Sequence, residues 1–444
     1  MSLSRILWVL PLLLTAVLTE SHAQNARTWT LRDCIDYALE HNIQIQTKEI
    51  THQTSEASLE QARAAQYPTL NFSGSFGANF QNVTTYNDYM EKNSGFAASN
   101  NYGLNSGMTL YQGGRLRNTV KQQQLQAEAA GYDVDQQRID LEISIAQAYI
   151  QLLYDKESLD VKRKTAELSE HQVSRGEQLH LAGSISKVEL AQLRSQHASD
   201  LYQIVTAENA LETDRLKLKQ LLELGLDDDF EPAIPEISDE LVAVPLPELA
   251  DIYAEALATL PSMRSAALGV DASETAVKVA KGSFAPSINL SAGISTGWNS
   301  ATGTTYFDQL GNKLGESLGL SLSLPIFNGK QVRTSVKRAE LQYQSQQLQF
   351  ESSKKQLLAT LESLRNDAVS AQERYFAAQE QRKSAEESLK LVTEQFDAGI
   401  KNTVELLTEK NNYVSAISQQ LQAKYQAVLA AKVLGRYMEQ PIDL

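Results

Sequence analysis

Along the second half of the chain, apolar side chains recur at alternating four- and three-residue steps: Leu357, Leu361, Leu364, Ala368, Ala371, Tyr375, Ala378, then, past Arg382, Ala385, Leu389, Val392 and Phe396. This is a heptad seam with one interruption, the mark of a helix that packs along its whole length. Neither proline nor glycine occurs between Lys330 and Ala398, so nothing there removes a ladder hydrogen bond or favours left-handed backbone. A helix over that span is about 100 Å long at 1.5 Å per residue. Phe396-Asp397-Ala398-Gly399 then supplies a C-terminal glycine, and Asn402 or Thr403 a fresh N-cap. The predicted element is a hairpin of two helices with its tip at Gly399.

The first half repeats this plan. Residues Leu31 to Ser73 align without a gap onto Leu249 to Ser291 at a shift of 218, pairing Ala38-Leu39 with Ala256-Leu257, Pro68 with Pro286 and Asn71 with Asn289. At a shift of 216, Gly113 falls on Gly329, Arg117 on Arg333, Gly183 on Gly399, and Val188-Glu189-Leu190 on Val404-Glu405-Leu406. Matches at constant spacing over two long stretches indicate an internal duplication. Each half reads as a short helix (about 31–40; 249–258), a medium helix (43–66; 262–284), a strand pair, a long helix (116–181; 331–398) and its return (187–224; 403–438). Repeat 1 spans about 29–225 and repeat 2 about 248–440. The acidic segment between them, 226–247, holds four prolines and reads as a connecting belt within a single composite domain.

The strands alternate cleanly. Leu70, Phe72, Gly74, Phe76, Ala78 and Phe80 interleave with Asn71, Ser73, Ser75, Gly77 and Asn79; Ile288, Leu290, Ala292, Ile294 and Trp298 interleave with Asn289, Ser291, Gly293, Ser295 and Gly297. Their partners place Tyr102, Leu104, Met108 and Leu110, and Leu318, Leu320, Leu322, Leu324 and Ile326, on one face. Strands over about 69–80, 102–111, 287–298 and 317–327 match the length of tilted membrane strands with one apolar and one polar face. A soluble sandwich edge has the same period, but the compartment signals below favour outer-membrane lipid. Four strands cannot close a barrel, and hydrocarbon satisfies no open edge. Three copies would supply twelve. The Asn-, Ser-, Gly- and Thr-rich stretches 81–101 and 299–316 are then expected to face outside the cell.

Composition changes this picture little. The formal net charge of -14 weighs against nucleic acid as a partner, because that needs basic patches. Residues 1–23 carry Arg5, an apolar run and Ser21-His22-Ala23, which is expected to be a secretory signal peptide rather than an anchor. No later apolar run is long enough for a membrane helix. Cys34, the one cysteine, lies inside a helical pattern and reads as a small buried side chain. The histidines after residue 23 show no metal-ligand spacing, and no phosphate loop, nucleophile elbow or acid and base pair is present, so neither an enzyme nor a bound cofactor is expected. A soluble periplasmic coiled-coil adaptor or scaffold is the alternative from the helices alone. Strands with Phe or Leu at every second position count against it.

The short helix, the medium helix ending in Tyr67-Pro68 or Ala285-Pro286, the strand pair, Tyr111-Gln112-Gly113-Gly114-Arg115 or Phe327-Asn328-Gly329-Lys330, the long helix and the glycine tip together resemble the TolC family of outer-membrane efflux proteins. The resemblance implies a mainly α fold with a small membrane β-barrel part: a homotrimeric tunnel whose 12-stranded β-barrel lies in the outer membrane of a Gram-negative bacterium and continues as a 12-helix α-barrel across the periplasm. It implies the exit duct of a tripartite efflux pump or type I secretion system, docked to a periplasmic adaptor (membrane fusion) protein and an inner-membrane pump of RND, ABC or MFS type. It also implies a periplasmic gate at Glu405, Lys401, Phe396, Asp397 and Glu189, and adaptor docking at the hairpin tips through Gly183, Val188, Gly399 and Val404. Phe396 stands where the family usually has tyrosine, Gln395 where a basic residue is frequent, and Thr408 where a second gating carboxylate falls, with Glu409 next to it. From the residues alone, Glu405 and Lys401 also read as solvated charges at a helix start.

Overall fold

The structure is a computed structural model that describes residues 28–83, 93–225, 228–235 and 237–444. The expected signal peptide lies outside the described residues. In chain order the elements are β1 (Thr28–Trp29), α1 (Leu31–His41), α2 (Ile43–Ala64), β2 (Thr69–Val83), β3 (Asn93–Gln112), α3 (Arg115–Leu181), α4 (Lys187–Leu221), β4 (Glu231–Pro232), α5 (Leu249–Thr259), α6 (Pro261–Lys281), β5 (Ser287–Asn299), α7 (Tyr306–Asn312), β6 (Gly315–Ser323), α8 (Gln331–Asp397) and α9 (Thr403–Arg436).

The two long helices have 67 residues each. The α8 seam falls as its spacing dictates: Leu357, Leu361, Ala368, Ala371, Tyr375, Ala378, Leu389 and Phe396 are buried. Burial every 3.5 residues keeps one stripe against α9 and leaves the opposite face to solvent. The main core gathers where α1 and the inter-repeat segment cross α3, α8 and α9, around Ile145, Tyr149, Leu153, Phe230 and Val428. Backbone carbonyls of that segment are claimed by the helices. Tyr149 Oη donates to Ala233 O at 2.5 Å, Gln372 Nε2 to Val242 O and Val244 O at 2.8 Å, and Arg365 Nε to Pro247 O at 3.0 Å. Cys34 lies on the buried face of α1, and burial pushes its thiol up to about 12, so it is inert at neutral pH.

All four long strands form one antiparallel sheet in the order β2-β3-β5-β6. Phe72 opposes Leu104, which opposes Ile294, and Leu290 opposes Leu320, so the apolar side chains share one face. That face is uncovered over much of its width, with Phe72 at 72% and Leu320 at 69% exposure. Three expectations are corrected. β2 and β3 run on to Val83 and Asn93, so part of the stretch expected as an outer loop is strand, while residues 84–92 lie outside the described residues. β6 stops at Ser323 rather than about 327 because Pro325 has no N–H for the ladder. Between Thr109 and Tyr111 the register slips. Leu110 is an extra bulged residue there, and Tyr111 rather than Leu110 opposes Ile288.

The second loop expected outside also carries structure. Helix α7 lies on the apolar face, with Tyr306 Oη accepting from Asn100 Nδ2 at 3.1 Å and Thr296 Oγ1 donating to Leu310 O at 2.6 Å. No helix among the described residues is long and apolar enough to cross a membrane.

Candidate gate at the hairpin tips

Both hairpins end in the same local chemistry. Each long helix terminates with glycine in left-handed backbone, φ +76° at Gly183 and +74° at Gly399, where no side chain is penalised. The Ser184 and Gly183 amides bond back to Leu179 O and His180 O, and those of Ile400 and Gly399 to Gln395 O and Phe396 O. These paired bonds satisfy carbonyls that a helix end leaves open. The return helices start with capping boxes. Ser186 caps Glu189 and receives its carboxylate, and Asn402 does the same with Glu405.

Glu189 and Glu405 therefore have a structural function that their spacing from the glycine did not reveal. Glu405 Oε1 accepts from Lys401 Nζ at 2.5 Å and Oε2 from the Asn402 amide at 3.1 Å. The Lys401 ammonium, then the Asn402 amide, hold its carboxyl below the usual carboxylate range, so it stays ionised at neutral pH. Phe396 is 3% exposed and packs with Leu193, Leu389 and Leu406 in the tip core. Its place in the tip core of the single chain is the one the seam spacing gives it. Asp397 bonds Arg175 Nε at 3.1 Å and so ties α8 to α3. Val188 and Val404 are 68% and 57% exposed beside the open tip glycines. Leu181 and Ile400 are exposed there as well, so each tip carries an exposed apolar knuckle.

Sequence reading missed the charges inside the seam. Lys410 of α9 is fully buried and ion-pairs with Asp200 of α4, joining the two hairpins. The signal was there to be found. On α4 the positions Leu190, Leu193, His197, Asp200, Ile204, Ala207, Leu211, Asp214 and Leu218 follow the heptad steps, with aspartate at two of them. The second, Asp214, lies beside Asp155 of α3. Burial, and then the Asp214 carboxyl, push Asp155 up to about 7, while Asp214 is lowered against its own burial by Asp155 and Lys217. Below about pH 7 the pair thus holds a proton on Asp155. A folded value above the ordinary 3.8 means that this group's contribution to stability is full below pH 3.8 and fades as pH rises through about 7. Asp155→Asn should flatten that fall. Thermal unfolding in detergent across this range would show it, and a variant whose Tm follows pH as the parent does would contradict it.

The sequence profile of the family described as "Outer membrane efflux protein" matches residues 34–223 and 252–438. Among curated relatives, the chain is 27% identical over 216 residues to the pyoverdine export outer membrane protein OpmQ of Pseudomonas aeruginosa, covering 48% of this chain and 43% of that one. It is 27% identical over 234 residues to TolC of Escherichia coli, covering 49% and 45%. It is 26% identical over 331 residues to the cation efflux system protein CusC of Escherichia coli O157:H7, covering 71% and 65%. The chain spans about half the length of the first curated relatives it matches. In fold it is similar to CusC, with a TM-score of 0.81 at 19% identity over 92% of this chain and 91% of that one. Its similarity to VceC of Vibrio cholerae gives 0.78 at 18% identity over 92% and 95%.

Proposed function

Because the chain belongs to the TolC family of outer membrane efflux proteins, we propose that it is the outer-membrane exit duct of an efflux or type I secretion system, with its helical part in the periplasm. Family members are trimeric outer-membrane channels working with efflux pumps. The observation that carries the reading is the pairing, in one chain, of an uncovered apolar sheet face with helical hairpins about 100 Å long at the helical rise. The sheet suits lipid and the hairpins suit a periplasm. A soluble adaptor explains only the second.

In this reading a periplasmic adaptor docks on the knuckles around Val188 and Val404, and a pump of RND, ABC or MFS type supplies the cargo. The pump sets the specificity, since a tunnel needs no dedicated pocket. Relatives are named for pyoverdine export, fusaric acid resistance and cation efflux. Deletion of the gene should therefore be profiled against siderophore release, toxic organic acids and metal salts together, with secreted polypeptides as a further readout. A strain unchanged in all of them, with the partner pumps expressed, would count against the duct.

At the tip, three copies turn Glu405 into a ring of carboxylates, the arrangement by which pores favour cations. Glu405→Gln keeps an acceptor for the Asn402 amide and removes the charge; Glu405→Ala also loses the capping-box contact to that amide. Both should lower cation selectivity and divalent block in planar bilayers, with Lys401→Ala loosening the closed state. If Glu405→Gln trimers keep the parent's selectivity and block, the charge that gates lies elsewhere, with Asp397 and Glu409 next.

A further inference from the structure

Charge is spread unevenly along this chain. Residues 61–68, 113–121, 278–286 and 328–338, which link the four long strands to the helices, hold ten basic side chains and no acid, although the formal net charge is -14. Lys278 pairs with Glu274 at 2.8 Å and Lys281 with Glu340 at 3.6 Å. The other basic residues of this band make no ion pair among the described residues. Two of them recur in the duplication. Arg117, Val120 and Lys121 of α3 fall, at a shift of 216, on Arg333, Val336 and Lys337 of α8, and all four basic residues are exposed.

These pairs stand in the first two turns of the long helices, where the macrodipole favours acids over bases. Neither α3 nor α8 has an acid in its first turn, whereas the return helices α4 and α9 carry Glu189 and Glu405 there. The basic side chains therefore oppose the helices that bear them, and an anion outside the protein is what they suit. In repeat 2 they border a groove of about 540 Å³ between the end of α6 and the start of α8. Phe284 and the buried Val336 supply its apolar lining, and Lys330, Arg333 and Lys337 its basic lining. Lys330 takes left-handed backbone, φ +68°, where repeat 1 has Gly114 at +75°, so a basic side chain is kept there at a conformational cost.

We propose that the junction of sheet and helices binds anionic phospholipid of the leaflet that faces the periplasm, with the α6–α8 groove as the seat of one headgroup. This rests on the reading of the sheet as the outer-membrane part and names the lipid chemistry it selects. Depth agrees with the assignment. The headgroup zone on each side of a bilayer is about 5 to 8 Å deep. At the helical rise, Arg117 and Arg333 lie about 3 Å beyond the first residues of α3 and α8, and Lys121 and Lys337 about 9 Å beyond them, within reach of that zone for side chains that extend toward an interface. A phosphate meets the basic lining while the first acyl carbons meet Phe284. A free anion has no use for the apolar part.

Native mass spectrometry of the full-length protein, taken from carbonate-washed membranes into detergent and offered phosphatidylglycerol or phosphatidylethanolamine, tests this. The parent should retain phosphatidylglycerol in preference. Each basic residue at an anionic surface is worth about fivefold in binding, so Arg333→Gln with Lys337→Gln should weaken retention by about 25-fold. Adding Arg117→Gln and Lys121→Gln should abolish the preference. Lys164→Gln with Lys390→Gln, exposed and far along the hairpins, should keep it, as should the charge-conserving exchange of Arg333→Lys with Lys337→Arg. A parent that retains both lipids equally, or a fourfold variant that keeps the preference, overturns the lipid site. So does inorganic phosphate that displaces the lipid better than sodium chloride of equal ionic strength, since the groove then takes a soluble anion. Each of these leaves the duct standing while the protein resists the carbonate wash. Release of the parent by carbonate overturns both.

Discussion

An arginine at Phe72 or Leu290 is expected to abolish stable membrane assembly, while one at the adjacent Asn71 or Asn289 leaves most of it. The two faces of the sheet differ by one residue of register. Phe72 opposes Leu104 on the apolar face and is 72% exposed in the single chain, which leaves it free to meet lipid. Arginine on the lipid face near the midplane costs about 2 to 4 kcal/mol per site, and the lumen face stays wet. Three copies of the substitution in one barrel multiply the penalty. The fraction of trimer that resists denaturing detergent without heating measures the result. Equal losses at neighbouring positions would show that the faces are misassigned.

The second large effect is expected inside the α-helical body. Lys410 has no exposed surface and its ammonium is paired with Asp200, which also accepts from Gln196 Nε2 at 2.9 Å. Removing one partner strands the other charge away from water. Lys410→Met or Asp200→Leu should each cost about 3 to 5 kcal/mol. The double variant should recover most of that, because two apolar groups of similar volume need no partner. Unfolding of the four proteins in one detergent completes the cycle. Single variants that lose less than about 1 kcal/mol would mean that water reaches the pair.

Most of the helical frame was legible because its signals are local and repeated. The expected long helices over 116–181 and 331–398 start and stop within one residue of Arg115–Leu181 and Gln331–Asp397, with a glycine and a new cap marking each turn. The bulge at Leu110 was not legible, since simple alternation assigns Leu110 and not Tyr111 to the apolar face and only the β5 ladder shows the slip. At the tip, two kinds of signal competed. The seam spacing already counted Phe396 among the packed positions, while the family pattern placed it in a gate; its burial follows the seam. Glu405 was found through its distance from Gly399, yet its contacts are those of a helix start. Lys410 and Asp200 escaped because a charge in a heptad is read as surface until the partner helix is in place.

Outer-membrane fractions washed with alkaline carbonate, released with detergent and weighed by native mass spectrometry test the duct most directly. The expected result is that the chain survives the wash and leaves the membrane only with detergent, at the mass of three copies. Release by carbonate alone, at the mass of one chain, would contradict it.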